Sequence, residues 1–204
     1  MSSQTRPRWL VWLLATLAAF SPLSIDTYLP SLPDIARELG TQDAQVQLTI
    51  GVFLAGLCSG MLLYGPLSDR YGRRRLLLGS LLLYILASVG CIWVASVEQL
   101  IVLRFLQAVG GAGALVLART VVRDLYPLSE AARMLSLMHV IAMVATLLAP
   151  IMGTYLVLLG GWRIIFVMLS LLGTGCLVAV AVALQESLPV EARTRSVLAL
   201  SLIH

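Results

Sequence analysis

The sequence predicts an all-α integral membrane protein of six transmembrane helices, built as two three-helix repeats. Three observations carry this. Of 204 residues, 59% are hydrophobic and only 12% charged, against roughly 45–50% and about 25% in a soluble domain. The apolar excess, with a mean hydropathy of +0.95, runs the whole length, which excludes both a soluble enzyme and a single anchor on a soluble body. Finally, about 120 apolar residues supply roughly six spans at the ~20 residues that one crossing needs.

The elements follow in order. Residues 1–8 form a polar start with Arg6 and Arg8 ahead of span one, about 9–29. The basic lead resembles a signal peptide, but the apolar stretch runs past ~15 residues without a clear small-x-small cleavage site, so it reads as a retained helix. A polar connection, 30–44, leads to span two at 45–66. The basic turn 67–75 separates it from span three at 76–97, and a near-absent turn around Glu98 precedes span four at 100–120. An arginine-containing link, 121–133, leads to span five at 134–158. The turn Gly160–Arg163 opens span six at 164–184, and residues 185–204 form a tail. No span alternates with the period of two that a barrel strand requires.

All 14 basic residues are arginine, and their placement orients the bundle. With the N-terminus inside, eleven fall on the cytoplasmic side: Arg6, Arg8, Arg70, Arg73, Arg74, Arg75, Arg119, Arg123, Arg133, Arg193 and Arg195. Arg37 and Arg163 fall outside, and Arg104 lies within a span. This bias predicts that both termini are cytoplasmic. The net charge of +4 is thus a topology signal, and no nucleic-acid partner is expected. Cys58, Cys91 and Cys176 stand singly in apolar runs, as packing residues. No catalytic Ser/His/Asp set, phosphate loop or metal cluster appears, so no enzyme activity, metal or cofactor is expected.

Four stretches carry chemistry. The turn after span two reads Gly65-Pro66-Leu67-Ser68-Asp69-Arg70-Tyr71-Gly72-Arg73-Arg74-Arg75. Gly65 and Gly72 allow close approach and a tight turn, while Ser68 and Asp69 offer acceptors to the next helix start. Span four carries Arg104 and Gln107 ahead of Gly110-Gly111-Ala112-Gly113. An arginine in a span costs about 2.5–3.5 kcal/mol on insertion scales, so it faces a cavity or a partner unless it snorkels outward. Asp26 lies at matching depth in span one; it either pairs with Arg104 and titrates, or is an interfacial carboxylate beside Tyr28. In span five, Ala145, Ala149 and Gly153 recur every four residues, a face for close helix packing, and Pro150 bends the helix. His139 reads as a packing or snorkelling residue. Trp9, Trp12, Trp93, Tyr155 and Trp162 read as interfacial anchors.

The turn after span two closely resembles the signature loop of the major facilitator superfamily. That resemblance implies a conformational latch at Gly65, Asp69, Arg70, Gly72, Arg73 and Arg74. Arg104 with Gln107 resembles the family's intramembrane arginine motif, where Ala108 replaces an expected glycine, which implies proton coupling through Arg104 and Gln107; Asp26, if it pairs with Arg104, is the candidate proton site. The run Asp26-Thr27-Tyr28-Leu29-Pro30-Ser31-Leu32-Pro33 resembles the first-helix signature of the bicyclomycin/chloramphenicol-resistance branch of drug:proton antiporters. Arg123-Asp124-Leu125-Tyr126, Gly160-Gly161-Trp162-Arg163 and Glu186-Ser187-Leu188-Pro189 fit the same branch. Ala145, Ala149, Pro150 and Gly153 are similar to the antiporter motif, with alanine for its first two glycines and Thr154 for its last.

The resemblance implies the N-terminal half of a multidrug exporter in a bacterial inner membrane. The coupling ion would be the proton and the substrates amphipathic drugs of the bicyclomycin/chloramphenicol type, with Tyr28 and Arg104 lining the substrate cavity. Partners would be the lipid bilayer and either a missing C-terminal six-helix half or a second copy. The tail from Arg193 stops where a central cytoplasmic loop would lead to a seventh span, which leaves the span-five face expected against lipid. A metabolite facilitator of the same superfamily and a truncated, non-transporting fragment remain open.

Overall fold

The structure is a computed structural model that describes residues 8–184. The expected roles of Arg6, Arg193, Arg195 and the run Glu186–Pro189 lie outside the described residues, as does the side chain of Arg8. Seven α-helices and one 3-10 turn follow in order: α1 (Arg8–Asp26), the turn Leu29–Ser31, α2 (Leu32–Glu38), α3 (Asp43–Tyr71), α4 (Arg73–Ile92), α5 (Val97–Leu125), α6 (Leu128–Gly160) and α7 (Arg163–Ala183). The described residues hold no strand. Among the described residues six stretches, counting Trp9–Glu38 as one, are long and apolar enough to cross a membrane, as the sequence predicts.

The helices outrun their apolar windows. α3 continues through Leu67, Ser68 and Asp69 to Tyr71, so the turn expected over 67–75 shrinks to Gly72. Hydropathy marks where lipid ends; a helix ends only where its backbone is forced to. Gly72 forces it with φ +92°, a conformation that costs a residue with a Cβ dearly. Likewise the link expected over 121–133 is helical except for Tyr126 and Pro127. Near Glu98 the chain leaves helix over 93–96 instead, and Ser96 caps α5 by accepting from the Gln99 amide at 3.4 Å. The polar connection 30–44 is itself folded, with Pro33 in the first turn of α2, where its missing N–H costs nothing.

α5 is the hub, packed along α3, α4 and α1, while α6 lies along α1 and α7 along α4. The pairs α3–α5 and α6–α1 exchange when the first three spans are swapped for the last three. The exchange is partial, since α4 packs closely along α5 while α7 meets α1 only sparsely. Small residues permit the approach: a Cβ added at Gly110 would sit 2.6 Å from the Tyr84 amide nitrogen and 2.7 Å from the Ser80 carbonyl oxygen.

The face of Ala145, Ala149 and Gly153 packs inside this chain. Ala149 is buried beside Ala19 and Leu23 of α1, and Gly153 abuts the Thr27 backbone. The expectation that this face meets lipid is therefore corrected: small side chains let α6 close onto α1 instead. The faces left outside are large and apolar, among them Leu62, Leu86, Leu147 and Val182, and they suit contact with lipid. Pro150 sits inside α6 without ending it.

Two further expectations are revised. Trp162 is 1% exposed, unlike the exposed Trp9, Trp12, Trp93 and Tyr155, because its indole N–H donates to Glu38 Oε2 at 2.7 Å. Arg163 pairs with the same carboxylate and donates to the carbonyls of Ile92 (2.9 Å) and Val94 (3.1 Å). This clamp ties α2, the 93–96 link and α7 together. Cys91 and Cys176 are buried, whereas Cys58 lies exposed on α3.

Candidate functional site

The centre of the bundle holds a buried guanidinium. Arg104 lies seven residues into α5, ~10 Å along the axis at 1.5 Å per residue, and is 0% exposed. Its charge is surrounded by aromatic faces, with Cζ 4.2 Å from the Phe53 ring centre, 4.4 Å from that of Tyr28 and 6.0 Å from that of Phe166. A desolvated cation–π contact contributes about 2 kcal/mol. Two close rings together therefore offset the 2.5–3.5 kcal/mol insertion cost.

Each ring is fixed in turn. The Tyr28 hydroxyl hydrogen-bonds Thr49 Oγ1 at 2.9 Å, and Phe166 stands edge-on to both Tyr28 and Trp162, with ring centres 6.0 Å apart in each pair. The clamp at Trp162 thus reaches the arginine through Phe166.

The polar contacts of Arg104 stop short of its capacity. Nη1 donates to Gln107 Oε1 at 2.7 Å, and Gln107 Nε2 donates to Ser88 Oγ at 2.8 Å, which donates to the Tyr84 carbonyl at 2.7 Å. Among the described residues, Nε and Nη2 have no hydrogen-bond partner. A buried donor left unpaired costs about 1–3 kcal/mol, more when charged. Nearby, the Tyr84 hydroxyl meets Ser24 Oγ at 2.7 Å, which joins α1 to α4 beside this network.

Asp26 does not join it. No ion pair links Asp26 to Arg104 among the described residues, and Asp26 ends α1 half-exposed. The chain stays tightly wound past that end, with the Thr27 amide bonded to the Leu23 carbonyl and Tyr28 to Ile25, both at 3.1 Å. Residues two apart on such a turn point about 200° apart. With Tyr28 turned onto Arg104, Asp26 faces away. Of the two readings of Asp26, the pairing with Arg104 is not made in this structure, where Arg104 lies over Tyr28 instead.

At the arginine-rich end, Arg73 gathers a second cluster. Its guanidinium donates to Ser68 Oγ at 2.9 Å, pairs with Asp69 at 3.2 Å and pairs with Asp124 of α5 at 2.6 Å. Arg74 donates to the Ala181 carbonyl of α7 at 2.7 Å. Arg70 points away, over the Tyr71 ring at 5.2 Å. Ser68 and Asp69 serve this fork instead of capping α4, which has no side-chain cap bond. Gly65 needs no close approach, since a Cβ there would meet nothing within 4 Å. His139 is exposed rather than packed.

Sequence reasoning found Arg104, Gln107, Tyr28, Asp69 and Arg73, and missed Phe53, Ser88, Ser68 and Asp124 as their partners. The sequence did single out Ser68, as an acceptor for the next helix start, and Asp124, within Arg123-Asp124-Leu125-Tyr126.

Comparisons with known proteins fit this geometry. The sequence profile described as Major Facilitator Superfamily matches residues 14–201. The chain is 40% identical over 189 residues to an uncharacterized MFS-type transporter, YdgK, of Bacillus subtilis (strain 168), covering 92% of this chain and 47% of that one. It is 39% identical over 183 residues to a chloramphenicol resistance protein of Pseudomonas aeruginosa (86% and 43%). It is 34% identical over 160 residues to a bicyclomycin resistance protein homolog of Haemophilus influenzae (strain ATCC 51907 / DSM 11121 / KW20 / Rd) (78% and 40%). In fold it matches the crystal structure of a D-xylose-proton symporter with a TM-score of 0.75 at 19% identity, covering 96% of this chain and 52% of that one. The chain spans less than half the length of these curated relatives.

Proposed function

The chain belongs to the major facilitator superfamily, and we propose that it is one six-helix half of a proton-driven exporter of amphipathic drugs. It would be a transporter rather than an enzyme, and its relatives named for chloramphenicol and bicyclomycin resistance support that substrate class. In this reading the proton moves inward as the drug moves outward across a bacterial inner membrane, with the arginine-rich face cytoplasmic as the positive-inside rule favours. The substrate path needs a second six-helix unit, because alternating access rocks one half against the other.

The observation that carries the reading is Arg104, fully buried between aromatic rings with two donor nitrogens unbonded by any described residue. A cation held this way supports an anionic or strongly accepting group better in one conformation than in the other. Protonation of that group releases it, so proton occupancy biases the two conformations. Asp26 remains the candidate carboxylate of this chain, reaching Arg104 only in a conformation other than the one described. Arg73, bridging Ser68, Asp69 and Asp124, would steady one conformation from the cytoplasmic end, and Ala145, Ala149, Pro150 and Gly153 would set how α6 rides on α1.

A chimera tests this. This chain, joined at its tail to the C-terminal half of the Pseudomonas chloramphenicol resistance protein, is expressed in a drug-sensitive bacterium. The chimera should protect against chloramphenicol, a protonophore should abolish the protection, and Arg104→Gln should remove it at equal membrane abundance. A chimera of normal abundance that gives no protection, or protection indifferent to the protonophore, overturns the proposal.

A further inference from the structure

Far from Arg104, an open cavity of about 500 Å³ lies between α1, α5 and α6, and its polar lining is Arg119, Arg123, His139 and Ser136. Arg119 and Arg123 lie on it one turn apart on α5, and His139 faces them from α6. Fifteen residues separate Arg104 from Arg119, ~22 Å along one helix, so the cavity sits at the opposite membrane face. Counting the ~20 residues of a hydrocarbon crossing from the far ends of α5 and α6, at Val97 and Gly160, gives positions near 117 and 140. Arg119, Arg123 and His139 therefore stand at headgroup depth.

Their charges are uncommitted. Arg73 is held by Asp69 and Asp124, and Arg163 by Glu38. Arg119 and Arg123 form no ion pair with the described residues, although Asp124 is the next residue along; its carboxylate is turned to Arg73. Two guanidinium forks at i, i+4 project side by side, and such forks match the oxygens of a phosphate, to which an imidazole N–H adds a third donor. The rest of the lining is largely apolar, including Ala18, Leu135 and Met138, which suits the glycerol and first methylenes of a lipid. Basic pockets between transmembrane helices at headgroup level take anionic headgroups.

We propose that the cavity between α1, α5 and α6 binds a phosphate-bearing anionic group through Arg119, Arg123 and His139. This is independent of the transport reading and concerns different residues.

The test uses the purified 204-residue chain in neutral detergent. Phosphatidylglycerol, phosphatidylcholine of the same chains and inorganic phosphate are titrated separately, with bound lipid read by native mass spectrometry and stability by thermal melting. Phosphatidylglycerol should bind and raise the melting temperature, and phosphatidylcholine should do neither. Binding should weaken at least tenfold in Arg119→Gln/Arg123→Gln but stay unchanged in Arg75→Gln, a basic control off the cavity. The double variant should melt like the parent in phosphatidylcholine, which separates lost binding from lost folding. If phosphate alone reproduces the shift, the occupant is a free anion; if only phosphatidylglycerol does, it is a lipid headgroup. Equal binding of both lipids, binding retained by the double variant, or binding lost equally in Arg75→Gln overturns the proposal.

Discussion

Substituting Gly110 by alanine tests whether α5 is locked against α4 beside the Arg104 network. The added Cβ would lie 2.6 Å from Tyr84 N, 2.7 Å from Ser80 O and 2.9 Å from Tyr84 Cα. Ordinary contact begins near 3.4 Å, so the two helices must part by about 0.8 Å, and no side-chain rotation relieves a clash with backbone. Overpacking of this kind costs roughly 1–3 kcal/mol. Alanine also returns up to ~1 kcal/mol of helix propensity, which would blur a single measurement. Gly79→Ala on α4 supplies the matched control, because a Cβ there meets nothing within 4 Å and gains the same propensity. The difference between the variants isolates the clash. At ~2–4 °C per kcal/mol for a chain of this size, Gly110→Ala should melt roughly 2–12 °C below Gly79→Ala in neutral detergent. Equal melting temperatures would show that α5 and α4 are not in backbone contact, and the placement of Gln107 against Ser88 would fall with it.

Further outcomes follow from the other clusters. Arg73→Lys keeps the charge but loses the fork that reaches Ser68, Asp69 and Asp124 together, and should destabilise by about 1–3 kcal/mol in denaturant titration. Glu38→Ala leaves the buried Trp162 indole N–H without its acceptor; a loss of about 1–3 kcal/mol and a shift in tryptophan emission are expected, with Glu38→Gln restoring most of both. Arg104→Met removes a buried charge that no carboxylate balances among the described residues, so its melting temperature should equal or exceed that of the parent while chimera-borne drug protection disappears. Asp26→Asn in the chimera should abolish pH-driven efflux; unchanged efflux would remove Asp26 from the coupling.

How much of this was legible in the sequence depended on the length scale of the signal. The six spans were readable because a run of apolar residues is a local property, and the cytoplasmic bias rested on counting arginines along the chain. Helix ends were not, since Ser68 and Asp69 are polar yet helical and only the positive φ of Gly72 stops α3. Arg104 announced itself by its cost in a span. Its cage did not: Phe53 and Phe166 lie 51 and 62 residues away and look like any membrane aromatics. Position along the chain also misled. Trp162 sits at a span end, where an anchor belongs, but the distant Glu38 carboxylate draws it inside. Asp26 and Arg104 were matched by depth, while the turn that carries Tyr28 onto Arg104 sets the direction of Asp26, and depth alone does not give direction.

The most direct test of proton coupling through a caged arginine is made in everted membrane vesicles carrying the chimera, with respiration acidifying the interior. If Arg104 couples proton and drug, adding chloramphenicol should release protons and raise the internal pH, and Arg104→Gln should abolish that response at equal abundance. A proton release that persists undiminished in Arg104→Gln would contradict it.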